Sequence, residues 1–349
     1  MRLDVMSGGV PIRAMAGLAG DVEDAGFAGI WITESGRSAY NLCTAAALST
    51  TTLDVGTGIA VAFPRSPMVT AQVAWELQEA TGGRFLLGLG TQVKGHIERR
   101  YSSAFEHPGP RMREYVGAVK AIFRAFRGEE QLDFHGDFYD FSLLPRMWSP
   151  GPIEPPDPPV YVAGVNPWMC RAIGEVADGI HVHPLHSLRY LAEVVRPSLD
   201  EGARRAGRDP GEIAVVCPLL TIVGDTDEEL ARWRERARLQ LAFYGSTRTY
   251  SSIFELHGWP GTSARLHEQQ STGDLAGMAE TFTDEMLDTF SLTTTWDELA
   301  DAIAGRYAGI ADRVICYFAA TSWLEDPAVR ERWSGVARSV AAASATPST

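Results

Sequence analysis

The sequence predicts a single α/β domain, a (β/α)8 TIM barrel with insertions after strands four and seven. Three observations predict it. Short apolar runs alternate with longer helical patterns eight times over the 349 residues, the order expected of parallel strands joined by crossover helices. The length and the 45% hydrophobic content suit one such unit, since α/β barrels routinely exceed ~250 residues as one domain. The first strand is followed by SGGVPIRA (7–14), which lacks the G-x-G-x-x-G turn that would argue for an open doubly wound sheet.

The elements follow in order. The first strand is Leu3–Met6, and a helix from Pro11 to Ala25 stops at Gly26. GIWITES (29–35) is the second strand and AYNLCTAAALST (39–50) the second helix. LDVGTGIAVAFPRSP (53–67) supplies the third strand. Two glycines, Gly56 and Gly58, interrupt it, and glycine inside a strand marks a bulge or a close approach to the backbone. Ser66–Pro67 reads as an N-cap followed by proline at the first helical position, opening a helix to Thr81 that ends at Gly82–Gly83. RFLLGLGT (84–91) is the fourth strand, TQVKGHIERRYSSAF (91–105) reads as a loop, and a long helix covers 111–126. LDFHGDFYDFSLLP (132–145) alternates about Gly136 as a hairpin does, and GPIEPPDPP (151–159) is a surface connection.

PVYVAGV (159–165) is strand five, NPWMCRAIGEVAD (166–178) a helix, GIHVHP (179–184) strand six, and 187–206 a helix. EIAVVCPLLTIVG (212–224) is strand seven, and Asp225–Glu228 opens the next helix in the manner of a capping box. Residues 246–290 read as polar and irregular, with one helical piece near 274–289. Thr295 to Glu298 reads as a second capping box, opening a helix to Tyr307. DRVICYF (312–318) is strand eight, Asp326–Pro327 starts a final helix, and AAASATPST (341–349) reads as a frayed tail. The segments 128–158 and 246–290 are excursions from one domain spanning 1–349.

Charge and cysteine usage narrow the function. A net charge of −13 and a pI of about 5.1 argue against non-specific nucleic-acid binding and against an anionic membrane surface. No apolar run approaches ~18 residues, so no membrane span is expected. The N-terminus lacks the apolar core of a signal peptide. The cysteines at 43, 170, 217 and 316 form no C-x-x-C and no disulfide framework, which makes a reduced cytoplasmic setting the expectation.

A barrel carries its site at the C-terminal ends of its strands. Those ends are Glu34–Ser35, Gly56–Phe63, Gly90–Gln92, Gly164–Asn166, His181–His183 and Tyr317–Ala319. The set holds one carboxylate, two histidines and several glycines. Such a site suits a large flat cofactor that brings its own reactivity, acting on a small-molecule substrate. Asn166–Pro167 would cap a helix directly after strand five, and helix N-termini bind anions. Lys94, His96, Arg99 and Arg100 form a local basic cluster after strand four, in a chain with only two lysines. His181-x-His183 puts two imidazoles on one strand face, as a barrel metallohydrolase would need. Such enzymes carry the pair on strand one with further ligands on later strands. Here strand one ends Asp4–Val5–Met6–Ser7 and only His186 lies near, so no metal is expected and that reading stays remote. Ile30, Ile32 and Glu34 share a face by period two, which would aim Glu34 into the barrel mouth. Tyr244, Tyr250, Phe254 and Trp259 are candidates for a distal pocket wall.

The stretch LDVGTGIAVAFPRSPMVTAQVAWELQEATGGRFLLGLGTQ, together with PVYVAGVNPWMCRAIGEVADGIHVHP, resembles the luciferase-like monooxygenase superfamily, specifically its coenzyme F420-dependent oxidoreductases. The resemblance covers nearly the whole chain. It implies a barrel that binds F420 across its mouth, with FMN as the alternative cofactor, and hydride transfer to or from an organic substrate. It implies a non-prolyl cis peptide at Gly58–Ile59 backing the deazaflavin ring, and contacts from Thr91, Gln92 and Lys94. It also implies a phosphate region at Ala163, Gly164, Val165 and Asn166, His183 near the cofactor's polar tail, and a homodimer. The resemblance makes Glu34 the catalytic candidate. Many members follow this acidic residue with His, where this chain has Ser35.

Overall fold

A computed structural model describes residues 1–345. Eight strands make the barrel wall: β1 (Arg2–Ser7), β2 (Gly29–Ile32), β3 (Asp54–Thr57, resumed at Ala60–Val61), β4 (Phe85–Gly90), β5 (Val160–Gly164), β6 (Gly179–Val182), β7 (Ala214–Val223) and β8 (Arg313–Cys316). Each runs parallel to the next, and β8 pairs with β1 to close the cylinder. Helices on the outside cover the wall, and a large apolar layer fills the space between. Inside the cylinder a smaller cluster, Met6, Trp31, Leu86, Tyr161, Val216 and Ile315, packs on itself. The fold expectation and the eight strand positions agree with this architecture.

The N-terminal end of the barrel is closed by charge. Arg313 donates to both oxygens of Asp4 (2.6 and 2.9 Å) and to Asp54 Oδ2 (2.7 Å), and the Trp31 indole donates to Asp4 Oδ2 at 2.8 Å. Asp4 is wholly buried, so these bonds satisfy a carboxylate that would otherwise be costly to desolvate. They tie β1, β2, β3 and β8 together away from the mouth, where a barrel keeps stability separate from chemistry.

The helix punctuation is local. Ser66 Oγ accepts from Val69 N at the start of Pro67–Thr81, and Gly82 ends that helix in the left-handed region (φ 63°). Thr226 and Glu229 make a reciprocal capping box at the head of Asp227–Gly245, one residue on from the expected Asp225–Glu228. Four further expectations change. The segment 246–290 is not irregular: it folds as short helices at Ser251–Leu256, Thr262–Thr272, Leu275–Thr281 and Asp284–Phe290. Buried Phe254, Leu266, Phe282 and Phe290 seat them. The expected box at Thr295 is absent, since the helix starts later, at Leu299, and Thr294 Oγ1 is what donates to Glu298 (3.1 Å). The loop after β4 contains a helix, Lys94–Arg99. The last helix, Val329–Ala345, runs on through half of the expected frayed tail, and the rest of that tail lies outside the described residues. No helix among the described residues is long and apolar enough to cross a membrane.

Candidate active site

The third strand carries one extra residue. Val55 pairs with Phe85 and Ala60 with Leu89, so β3 advances five positions where β4 advances four, which is a bulge. The Gly58–Ile59 peptide within it is cis. The glycines around the bulge are explained by the protein's own interior. A Cβ on Gly56 would lie 2.8 Å from the Trp31 ring, and one on Gly58 would lie 3.1 Å from both Trp31 Cβ and His181 Nε2. One on Gly88 would meet the Thr57 carbonyl oxygen at 1.9 Å, and one on Gly90 would meet Ile59 Cδ1 at 2.6 Å. The indole therefore takes the room a side chain on Gly56 would need, and the Trp31 Cβ crowds Gly58. Above it Ile59 is half-buried, with Gly90 and Ala163 beside it.

Trp31 also fixes which face of β2 is inside. Trp31 belongs to the interior cluster, while Ile30 and Ile32 pack in the layer under the helices. The shared face of Ile30, Ile32 and Glu34 is thus the outer one, which corrects the expected route by which Glu34 would enter the mouth. Glu34 Oε2 accepts from Val61 N and from an Arg65 amino group (both 2.8 Å), and Oε1 accepts from the other at 2.6 Å. Arg65 also donates to the Val61 carbonyl (2.9 Å) and lies 5.1 Å over the Tyr40 ring. Burial works against the Arg65 charge, and the Glu34 carboxylate more than offsets it, holding the guanidinium above its ordinary value. Together the pair grips both polar atoms of Val61, the residue that ends the bulged strand.

Three histidines follow one another at the end of β6. His181 is buried with Nε2 unpartnered, edge-on to Trp31 at 5.3 Å. His186 is satisfied by the His183 carbonyl and the Tyr307 hydroxyl (2.9 and 3.0 Å). Burial pushes each of these two down to about 4. His183 Nδ1 accepts from Leu185 N at 3.1 Å. Burial, then the neighbouring His186 and His181, push it down to about 3. Its ring sits 4.7 Å from Tyr244 and 4.3 Å from Tyr250, and Tyr244 and Tyr317 bond hydroxyl to hydroxyl. Tyr317 directly follows β8 and packs on the interior cluster. Among the described residues no group of three or more His, Cys, Asp or Glu is placed to hold a metal ion.

The other expected contacts divide by face. Ala163 pairs with His181 and lies beside Gly90 on the inner side. Gly164 turns outward, where a Cβ would meet Ile173 Cδ1 at 2.6 Å. Thr91 and Gln92 are half-buried, and Gln92 (φ 58°) accepts from Val93 N through its own side chain. Val165 is half-buried, and Asn166 caps the helix Pro167–Val176 by accepting from Met169 N at 2.9 Å. Pro167 has no N–H, and Cys170 N already bonds the Asn166 carbonyl. Trp168 N–H is thus what the first turn still offers an anion. Lys94 is exposed and pairs with Glu98 at 3.7 Å. Phe254 is buried against Phe282 and Phe290, whereas Tyr244 and Tyr250 reach His183.

Sequence reasoning missed Arg65 and Trp31, and placed Tyr317 among the strand ends without giving it a role. The signal for Arg65 is a lone charge in AVAFPRSP, between a buried strand and a helix cap. The signal for Tyr317 is its parity with Arg313 and Ile315, both of which face inward.

The model of the luciferase-like monooxygenase family matches residues 2–313. An uncharacterized protein of Mycobacterium tuberculosis is 40% identical over 319 residues, 91% of this chain and 94% of that one. The 5,10-methylenetetrahydromethanopterin reductase of Archaeoglobus fulgidus is 31% identical over 290 residues, 80% of this chain and 82% of that protein. Among solved structures, the coenzyme F420-dependent tetrahydromethanopterin reductase of Methanopyrus kandleri shares the fold with a TM-score of 0.77 at 20% identity, over 98% of this chain and 99% of that one.

Proposed function

The chain belongs to the luciferase-like monooxygenase family, and from that membership we propose that it is an F420-dependent oxidoreductase, passing a hydride between the deazaflavin and a small organic substrate. The observation that carries the reading is the likeness along four-fifths of the chain to a methylenetetrahydromethanopterin reductase, together with the fold shared with a coenzyme F420-dependent tetrahydromethanopterin reductase. The residues present fit such a ring. Ile59 with Gly90 and Ala163 forms an uncharged ledge at the bulge, and the nearby carboxylate of Glu34 is already neutralised by Arg65.

When bound, the deazaflavin supplies a two-electron hydride centre. The chain's part is to hold it flat and in register. In this reading the Gly58–Ile59 backbone and the Ile59 side chain support one ring face. Thr91 and the Gln92 carboxamide reach its polar edge. Ala163, Gly164, Val165 and Asn166 carry the chain past the phosphate, toward which the Trp168 N–H and the Lys94 charge are favourable. Glu34 acts as a positioning residue, setting Val61 and the bulge through its bonds to Arg65 and to the Val61 N–H.

The family's description as monooxygenases makes FMN the competing cofactor. Titrating the purified protein with F420 and with FMN, each followed by its own fluorescence, separates the two. Saturable F420 binding in the micromolar range, weakened by Ile59→Glu, is the expected result. Retention of FMN with no uptake of F420 replaces the deazaflavin reading with a flavin one, and retention of neither overturns both.

A further inference from the structure

The corner where β6 and β8 end holds four rings, His183, Tyr244, Tyr250 and Tyr317, and each is only partly buried. We propose that this corner seats the substrate of the same reaction, and that it takes an uncharged carbonyl or hydroxyl compound whose oxygen is held by His183 Nε2–H and by the Tyr244–Tyr317 hydroxyl pair. The inference rests on the hydride-transfer reading for its chemistry, and on the geometry of the corner for its selectivity.

The donors can be counted. Leu185 N–H donates to His183 Nδ1, so the neutral ring carries its proton on Nε2. No protein group among the described residues takes up that Nε2, nor the Tyr250 hydroxyl. The Tyr244 and Tyr317 hydroxyls bond each other, which uses one of their two hydrogens and leaves the second to donate onward. The corner therefore has three unused donors to offer an acceptor oxygen: the imidazole N–H, one hydroxyl of the tyrosine pair and the hydroxyl of Tyr250. Tyr317 reaches there because its side chain continues the inward face of β8 and packs on the interior cluster.

The same groups set the charge class. Among the described residues, the groups that act electrostatically on these four rings are one another, His181 and His186, with no carboxylate, guanidinium or ammonium. Burial holds His183 neutral and raises the three tyrosines, so the corner carries no charge near neutral pH. An anionic or cationic group moved there loses its hydration and finds no counter-ion. A carbonyl oxygen loses little and gains preplaced donors. Those donors would become more valuable as a hydride from the reduced deazaflavin reached the adjacent carbon and negative charge built on the oxygen, which would then take a proton from a tyrosine hydroxyl that solvent reprotonates. Tyr244 stands edge-on to the imidazole and Tyr250 lies tilted against it, so apolar ring surface borders the donors where the substrate's carbon frame would rest.

Three probes of one shape and different charge test this: acetophenone, benzoate and benzamidinium. Binding to the full chain is followed by saturation-transfer NMR, with and without F420. Acetophenone is expected to bind about tenfold or more tightly than either ion, because neither ion has a partner in the corner. His183→Phe and the double variant Tyr244→Phe/Tyr317→Phe keep their rings and lose a donor, and each should weaken acetophenone about fivefold. His135→Ala, on the exposed hairpin, should leave it unchanged. The comparison among probes uses the unaltered protein, so it stands even where a variant fails to fold. Benzoate or benzamidinium binding as well as acetophenone overturns the inference. So does acetophenone affinity that stays within about twofold in both folded variants. F420 uptake without this selectivity overturns the seat alone, and selectivity without F420 uptake overturns the hydride reading alone.

Discussion

Replacing Arg65 by Met removes one partner from a pair that the fold has built in. Glu34 has its side chain 4% exposed and accepts three bonds, two of them from Arg65. In Arg65→Met the carboxylate keeps only the Val61 N–H. Stranding a buried charge this way costs about 3–5 kcal/mol, and the lower end applies because Arg65 itself is 22% exposed and water can follow it in. Unfolding entropy of ~2.1 cal/mol/K per residue over 349 residues gives ~0.7 kcal/mol/K, so ~3 kcal/mol lowers Tm by about 4 °C. Glu34→Gln keeps a neutral acceptor for Val61 N–H and should lose only about 1 kcal/mol. The double variant removes the stranded charge, and so should be more stable than Arg65→Met by about 1–2 kcal/mol. Calorimetry on the four proteins measures the cycle. Were Arg65→Met to shift Tm by less than about 1 °C, or the double variant to melt below Arg65→Met, the clamp would not be what holds the end of the bulged strand.

His181 and His186 make the fold acid-sensitive. The unfolded chain protonates near ~6.5, whereas the folded protein resists until about 4. Stability therefore falls as pH drops from ~6.5 toward 4, by roughly 1.4 kcal/mol per pH unit for each histidine. Urea midpoints between these limits should show that slope reduced in His181→Asn, and an unreduced slope refutes the assignment. Gly88→Ala and Gly17→Ala separate packing from propensity. The first would put a Cβ 1.9 Å from the Thr57 carbonyl and should abolish soluble folded protein. The second meets open space in the exposed middle of a helix and should stabilise by about 0.5–1 kcal/mol. Similar melting of both variants would contradict the clash.

The barrel was legible because its signals are local. Gly82, Ser66–Pro67, Asn166–Pro167 and Thr226–Glu229 punctuate helices through bonds within a few residues, and each strand is an apolar run of the right length. The helices of 246–290 were harder to read. Each is 6–11 residues long, and Gly258, Gly261 and Gly273 break the first three apart, so no window is long enough for a helical period to emerge. What makes them helices is Phe254, Phe282 and Phe290 packing together, which is tertiary information.

The site was less legible for a different physical reason. Period two says which residues share a face of a strand, and in a barrel both faces are apolar, so the pattern does not say which face is inside. On β2 that ambiguity reversed the reading of Glu34: Ile30 and Trp31 are equally buried, and only Trp31's bond to Asp4 and its fit against Gly56 and Gly58 mark it as the inward residue. A glycine carries the same ambiguity, because its missing side chain records that something is close without recording what. Here the closest atoms belong to Trp31, Thr57, His181 and Ile59, so the glycines alone do not argue for a ligand. The residues that do are those left with unused polar atoms at the mouth, His183 and the Tyr244–Tyr317 pair. They come from strands six and eight and a helix between, segments separated by scores of residues. Their meeting follows from closing the cylinder, and no local pattern announces it.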